Sequence, residues 1–182
     1  MFRNPALTAL LALSIWWVAR LGSAGLLSFE AGITLGVMLH FALLISVSFI
    51  SVYQHVEPPH FIDRFKSGLR PAILYAVLAA GSIVAYHHVV MADATGLRQL
   101  EFERFIEASL ADEEAYATLQ AEDPRLATLD REAAKEQALD SMRFQFDPRW
   151  HFTAALLMWI AVALTTSLFT AGLAQWLRAW PG

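Results

Sequence analysis

Residues 92–147 read ADATGLRQLEFERFIEASLADEEAYATLQAEDPRLATLDREAAKEQALDSMRFQFD, and this charged stretch interrupts an otherwise apolar chain. It holds 14 of the 17 acidic residues but only 6 of the 13 basic ones, which leaves it with a formal net charge of −8. The whole chain is 57% hydrophobic and 16% charged, whereas soluble domains carry about a quarter charged residues. The sequence therefore predicts a small membrane protein that displays one acidic insert.

The pattern inside this stretch predicts helices rather than disorder. Apolar residues recur at helical spacing with charged residues between them; they include Leu97, Leu100, Phe105, Ile106 and Leu110. Asp123 before Pro124 is a helix-start signal and predicts a second helix over about 125–142. That helix has a thin apolar stripe, so it needs support from another part of the protein, and the membrane-proximal face of the helix bundle is the expected support. Asp147 before Pro148 repeats the start signal for the segment that follows.

Apolar segments on both sides of the insert are long enough to cross a hydrocarbon core of about 30 Å. They predict transmembrane helices at about 5–27, 31–53, 71–91 and 149–177, with Pro5 in the first turn of the first helix. The first is interpreted as a retained span rather than a cleaved signal peptide. The predicted fold is an all-α polytopic membrane protein with four transmembrane helices. Its parts are three helices in 1–91, the acidic helical insert 92–147, and the fourth helix in 148–182.

Residues 54–70 connect the second and third spans and are basic and amphipathic. Pro58 and Pro59 stop the preceding helix, after which Phe61, Ile62, Phe65 and Leu69 recur at helical spacing. This pattern predicts a short helix lying in the membrane interface, with Pro71 beginning the third span. An irregular basic loop is the alternative.

Several residues inside the spans need an explanation because polar groups are costly in hydrocarbon. Arg20 is predicted to reach the headgroups as an interfacial anchor. Gly32 and Gly36 have the spacing that lets two membrane helices approach closely. His40 is predicted to face the bundle interior near mid-membrane. The hydroxyls of Thr165, Thr166, Ser167 and Thr170 are predicted to bond to carbonyls of their own helix or to a neighbouring helix, and a substrate-lining role is the alternative. Trp150 and Trp159 near one end of the last span, with Trp176 and Trp180 near the other, are typical of interfacial aromatic belts.

His87, His88 and His151 are the candidate metal ligands. The third span ends where the insert begins and the fourth starts where the insert closes, so these histidines are predicted to share one layer, with Asp93 or Asp147 as a further ligand. Neighbouring residues on an α-helix point about 100° apart, which argues against both tandem histidines facing one ion. The alternative is that all three mark the interface. An unperturbed imidazole titrates near pH ~6.5, so such a cluster also suits pH sensing. No resident cofactor is predicted.

Four spans place both termini on one side and the insert on the other. Arg64, Lys66 and Arg70 in the connection favour that side as cytoplasmic, which predicts a periplasmic insert. The chain contains no cysteine, which excludes disulfides and thiolate metal sites. The negative formal charge of the chain comes from the insert, so the overall charge gives no argument about nucleic acid, and nucleic-acid binding is not predicted.

The arrangement resembles an uncharacterised family of small bacterial four-helix membrane proteins, grouped under a domain of unknown function. The resemblance rests on the stretch FIDRFKSGL at 61–69 leading into the third span, on Tyr86 at its exit, and on the charged helical insert before the last span. It implies this topology and a location in the bacterial inner membrane. It implies no activity and no catalytic residues.

Together these features predict a non-enzymatic membrane subunit or scaffold that docks onto a larger membrane complex through its helices and its acidic insert. Its expected partners are lipids and other membrane protein subunits, or further copies of itself. One alternative is a small transporter or ion-pathway component with His40 on the path. The other is a metal- or haem-binding membrane protein that uses the histidines.

Overall fold

A computed structural model describes residues 4–54, 60–122 and 129–179, and every regular element within these ranges is a helix. The elements, in chain order, are α1 (Pro5–Ser23), α2 (Phe29–Gln54), α3 (Phe61–Ala85), a π-helix (Tyr86–Val90), α4 (Ala92–Ala111), α5 (Glu113–Glu122), α6 (Arg131–Gln145) and α7 (Pro148–Ala179). Four stretches are long and apolar enough to cross a membrane, namely Pro5–Ser23, Phe29–Gln54, Phe61–Val90 and Pro148–Arg178. Within the described residues, the predicted all-α fold and four helices long and apolar enough to cross a membrane are therefore confirmed.

Two helix starts follow the local chemistry of the sequence. Pro5 lies in the first turn of α1, where its missing N–H costs nothing, and the Asn4 side chain accepts a hydrogen bond from Ala6 N–H at 3.0 Å. At the start of α7, Asp147 Oδ1 accepts hydrogen bonds from the backbone N–H groups of Arg149 and Trp150 at 2.7 and 3.2 Å. The start signal predicted at Asp147 and Pro148 is confirmed.

Helix α3 differs from the prediction at its N-terminal end. It begins at Phe61 and continues without a break through Pro71, which lies buried inside the helix. The predicted helicity of 61–69 is confirmed, but the predicted break before Pro71 is wrong. Neighbouring helices and local adjustments satisfy the carbonyl that a proline frees, so membrane helices tolerate it. The predicted stop at Pro58 and Pro59 lies outside the described residues.

The chain divides into two compact units, which we call the bundle unit (1–83 and 153–182) and the insert unit (84–152). The bundle unit is built from α1, α2, most of α3 and most of α7. Its core is rich in small residues that let helix backbones approach closely; they include Ala9, Ala12, Ala72, Ala76, Ala79, Ala80, Ala163 and Ala171. Large apolar side chains on the same helices are exposed, as lipid contact requires; they include Val18, Met38, Leu157 and Phe169.

The insert unit contains α4 packed antiparallel against α6. Glu103 and Glu107 of α4 pair with Arg143 and Lys135 of α6 at 3.4 and 3.1 Å. Arg131, at the start of α6, donates hydrogen bonds to the backbone carbonyls of Leu110 and Ala111 at the end of α4. The thin apolar stripe of α6 gains its support from α4, because Ala134 and Met142 are buried. Later residues of α4 contact earlier residues of α6, as expected for antiparallel helices. These contacts fix the register between the two helices.

The start of α6 corrects the predicted helix over 125–142. Leu129 and Asp130 are not helical, and α6 begins at Arg131 with the Asp130 side chain accepting a hydrogen bond from Ala133 N–H at 2.8 Å. An aspartate that bonds the backbone three residues ahead favours a helix start over a helix interior, which explains the difference. The predicted cap at Asp123 lies outside the described residues.

We expect Asp130→Ala to fray the first turn of α6. Losing an N-cap costs about 1 kcal/mol of helix stability, which is a large fraction for a helix with so little apolar surface. Hydrogen exchange of the backbone amides of residues 132–134 is expected to rise about fivefold, the equivalent of that energy. Asp140→Ala, which removes an exposed carboxylate from the same helix, serves as the control. Equal exchange in both variants would contradict the capping role.

Candidate functional site

Three aromatic side chains, one from each of the other three helices of the bundle unit, surround His40 of α2. His40 is fully buried, with its ring stacked on Trp16 at a centroid distance of 4.4 Å and an interplanar angle of 17°. Tyr75 Oη lies 2.9 Å from His40 Nδ1, and the Trp159 ring meets the imidazole edge-on at 5.3 Å. We call these four residues the bundle centre. His40 therefore faces the interior, as predicted.

The bundle centre is positioned by a backbone contact between α1 and α2. Trp16 Nε1–H donates a 3.0 Å hydrogen bond to the carbonyl of Gly36, one helical turn before His40. This bond brings the indole beside the His40 ring, where it stacks. The contact fixes the position of α1 along the axis of α2, because it joins the Trp16 indole to one particular backbone carbonyl.

Arg20 lies one helical turn beyond Trp16, and the structure corrects its predicted role. The side chain is only 5% exposed and packs on α2 rather than reaching outward as an interfacial anchor. A Cβ built on Gly32 would lie 3.2 Å from Arg20 Nη1, and one built on Gly36 would lie 3.2 Å from Nε. The arginine side chain therefore packs directly on the backbone of these two glycines. The sequence predicts that the Arg20 side chain extends to the headgroups. It packs against α2 instead, because the two glycines have no side chains and leave space for it.

Two buried nitrogen atoms of the bundle centre make no hydrogen bond to any described residue. They are His40 Nε2 and Trp159 Nε1, and both side chains are fully buried. Buried polar groups in proteins almost always have a partner, and in a membrane core bulk water cannot supply one. The bundle centre therefore has hydrogen-bonding capacity to spare, as a site for a polar atom requires.

Hydroxyl groups form a second buried polar layer in the bundle unit. Ser48 Oγ of α2 donates to Ser167 Oγ of α7 at 3.3 Å, and both side chains are fully buried. Thr170 Oγ1 donates to the carbonyl of Thr166 at 2.7 Å, which is the bond to its own helix that the sequence predicts. Thr166 and Thr170 are both buried.

The three candidate metal ligands lie together in the insert unit. His88 Nε2 is 3.2 Å from His151 Nδ1, and the rings of His87 and His88 lie 5.7 and 5.4 Å from that of His151. We call these three residues the His151 cluster. Both tandem histidines approach His151, although α-helical geometry argues against this arrangement. The reason is that they lie in the π-helix YHHVV, whose Met91 N–H bonds the carbonyl of Tyr86 at 2.8 Å.

Comparison with protein-family models, with curated proteins and with solved structures finds no match to this chain. Its function is therefore inferred from the bundle centre, the His151 cluster and the surface of the insert unit. The resemblance carried by residues 61–69 stays a prediction.

Sequence reasoning missed three members of the bundle centre. Trp159 was expected in an interfacial belt, yet it is fully buried beside His40, because its position on α7 faces the other helices. Trp16 and Tyr75 were not predicted as site residues because aromatic residues are common in apolar segments. The available signal was small: Trp16 and Arg20 share one helical face, as do Gly36 and His40, but nothing local says that these faces meet.

Proposed function

We propose that this chain is a non-enzymatic integral membrane subunit of the bacterial inner membrane that docks onto a partner protein through its insert unit. One observation carries the proposal. Leu97 and Phe105 of α4 are 63% and 68% exposed, although they lie in the most charged part of the chain. Apolar side chains gathered on a charged surface are typical of interaction sites.

The two most exposed apolar residues of α4 lie away from its contacts with α6. Glu103, Glu107 and Leu110, which lie at helical spacing, contact α6. Leu97 and Phe105 project from other faces of α4. A shallow groove on this side is lined by Arg98, Glu101, Phe102 and Phe105. Covering apolar area of this kind is worth about 25 cal/mol per Å², so a matching surface would bind it.

The charge of the insert defines the partner further. Residues 92–147 carry 14 acidic and 6 basic residues, a net charge of −8. Complementary potential speeds encounter and suppresses wrong partners. The partner surface should therefore combine apolar side chains, which cover Leu97 and Phe105, with a basic rim.

The docking surface is tested by extracting the tagged chain from native membranes in mild detergent. The Leu97→Ser/Phe105→Ser variant is compared with Glu136→Ser/Gln137→Ser, which changes two exposed polar positions on α6. We expect a stoichiometric partner with the wild type and the control, and at least about tenfold less with the first variant. Circular dichroism and size exclusion verify that both variants fold.

Three outcomes would reject the docking proposal. The first is an unchanged amount of partner with Leu97→Ser/Phe105→Ser. The second is no stoichiometric partner at all with the wild type. The third is a particle whose mass, measured by light scattering, equals two copies of this chain, which would make the surface a site of self-association.

The same proposal places both termini in the cytoplasm and the insert in the periplasm. Lys66 and Arg70 are exposed near the start of α3, and positive residues near the ends of membrane spans favour the cytoplasmic side. Because the chain has no cysteine, single cysteines report topology directly. An impermeant maleimide added to intact cells is expected to label Ala108→Cys and to spare Lys66→Cys. The opposite pattern would reverse the orientation without changing the number of spans.

A pathway for a small ion through the bundle unit is the second candidate function. Buried polar side chains from different helices favour it, with His40 bonded to Tyr75 and Ser48 bonded to Ser167. Polar groups inside membrane bundles often mark such paths. Liposomes containing the purified chain should then conduct protons or sodium ions, and His40→Phe should stop the flux. Flux equal to that of protein-free liposomes would remove this candidate.

A further inference from the structure

The His151 cluster depends on an unusual piece of backbone. The π-helix Tyr86–Val90 replaces the last turn of an otherwise α-helical segment. Its wider turn brings both tandem histidines toward His151, with ring centroids 5.7 and 5.4 Å away. Single π-helical turns cost stability and are frequent at functional sites. The π-helical backbone therefore positions His87 and His88 near His151.

The distance within the closest histidine pair fits a shared metal ion. His88 Nε2 and His151 Nδ1 are 3.2 Å apart. Two imidazole nitrogens bound to one tetrahedral Zn²⁺ at about 2.0–2.1 Å lie about 3.3 Å from each other. We propose that His88 and His151 bind one late first-row divalent metal ion of the Zn²⁺ or Cu²⁺ class, with His87 as the third ligand.

A hydrogen bond between the two facing nitrogens requires one ring to donate and the other to accept. A metal ion needs a lone pair on each of them. Neutral histidine supplies it when the donating ring moves its proton to its other nitrogen, so binding requires a change of tautomer and no change of charge. Imidazole nitrogen is a preferred ligand of zinc and copper.

The third ligand requires a side-chain movement. No three His, Cys, Asp or Glu side chains of residues 4–54, 60–122 and 129–179 already surround one point. The His87 ring lies about as far from His151 as the His88 ring does, and the proposed site requires its side chain to rotate so that one nitrogen faces the ion. Three protein ligands leave a fourth tetrahedral position for water.

The site is tested on the full chain in detergent, with Co²⁺ as a spectroscopic substitute for Zn²⁺. We expect one Co²⁺ per chain with the intense visible bands of a tetrahedral site, displaced by Zn²⁺. His88→Ala and His151→Ala should each weaken binding at least about 100-fold, and His87→Ala less. His60→Ala, which removes an exposed histidine outside the cluster, should leave binding unchanged.

The folded state is checked with His88→Gln and His151→Gln, which preserve side-chain bulk, by circular dichroism and size exclusion. Weak binding by these variants, with unchanged folding, assigns the loss to the ligands. Absence of saturable Co²⁺ and Zn²⁺ binding by the wild type would overturn the site. So would equal loss on replacing His60 and His88. Docking through Leu97 and Phe105 is measured separately, so either proposal can fail alone.

Discussion

Replacing His40 by alanine is expected to lower the free energy of unfolding of the bundle unit by about 2–4 kcal/mol, the range of large-to-small substitutions in protein cores. The imidazole is fully buried and contacts aromatic rings of the other three helices. Its loss opens a cavity and leaves Tyr75 Oη without its 2.9 Å partner. The measurement is denaturant-induced unfolding of the purified protein in detergent. His60→Ala, at an exposed position, is expected to change stability by less than about 0.5 kcal/mol.

The hydrogen bond between His40 and Tyr75 can be separated from the packing. Tyr75→Phe keeps the ring but leaves His40 Nδ1 unpaired, at a cost of about 1–3 kcal/mol. Replacing both partners with apolar rings costs less than the two single changes combined, because no polar atom of the pair is then stranded. His40→Phe/Tyr75→Phe is therefore expected to be more stable than additivity predicts. Strict additivity would show that the bond carries no energy in the folded protein.

Gly68→Ala is expected to destabilise the contact between α2 and α3 by about 1–3 kcal/mol through overpacking. A Cβ at this position would lie 2.9 Å from Val52 Cγ2 and 3.0 Å from Ser48 Oγ, closer than side chains tolerate. Ser48 is itself fixed by its hydrogen bond to Ser167, so it cannot move away without breaking that bond. The helices must separate locally to admit the methyl group.

Gly81→Ala on the same helix is the matched control for Gly68→Ala. Among the described residues, no atom outside the local helix backbone lies within 4 Å of a Cβ built at Gly81, and alanine has the higher helix propensity by about 1 kcal/mol. We expect this variant to be as stable as the wild type or slightly more stable. Equal unfolding midpoints for the two variants would show that the close approach at Gly68 does not constrain the bundle.

What the sequence by itself determined was the set of local features. The four apolar segments are visible because the bilayer demands about twenty apolar residues in a row. The helix starts at Pro5 and at Asp147–Pro148 are visible because a cap acts on backbone groups within three residues. The inward orientation of His40 followed from the cost of a polar ring in hydrocarbon. Each of these depends on neighbouring residues or on the solvent, and no tertiary contact is needed to predict them.

Only the tertiary structure decided which polar residues meet. Arg20 was expected at the membrane interface, but it is buried against Gly32 and Gly36 because α2 provides a packing surface at these positions. Trp159 lies in the bundle centre rather than in the predicted aromatic belt, because it too packs against another helix. The convergence of His87 and His88 on His151 depends on a local competition between α-helical and π-helical backbone. Packing against elements distant in sequence settles such competitions, since the local preferences differ by only about 1 kcal/mol.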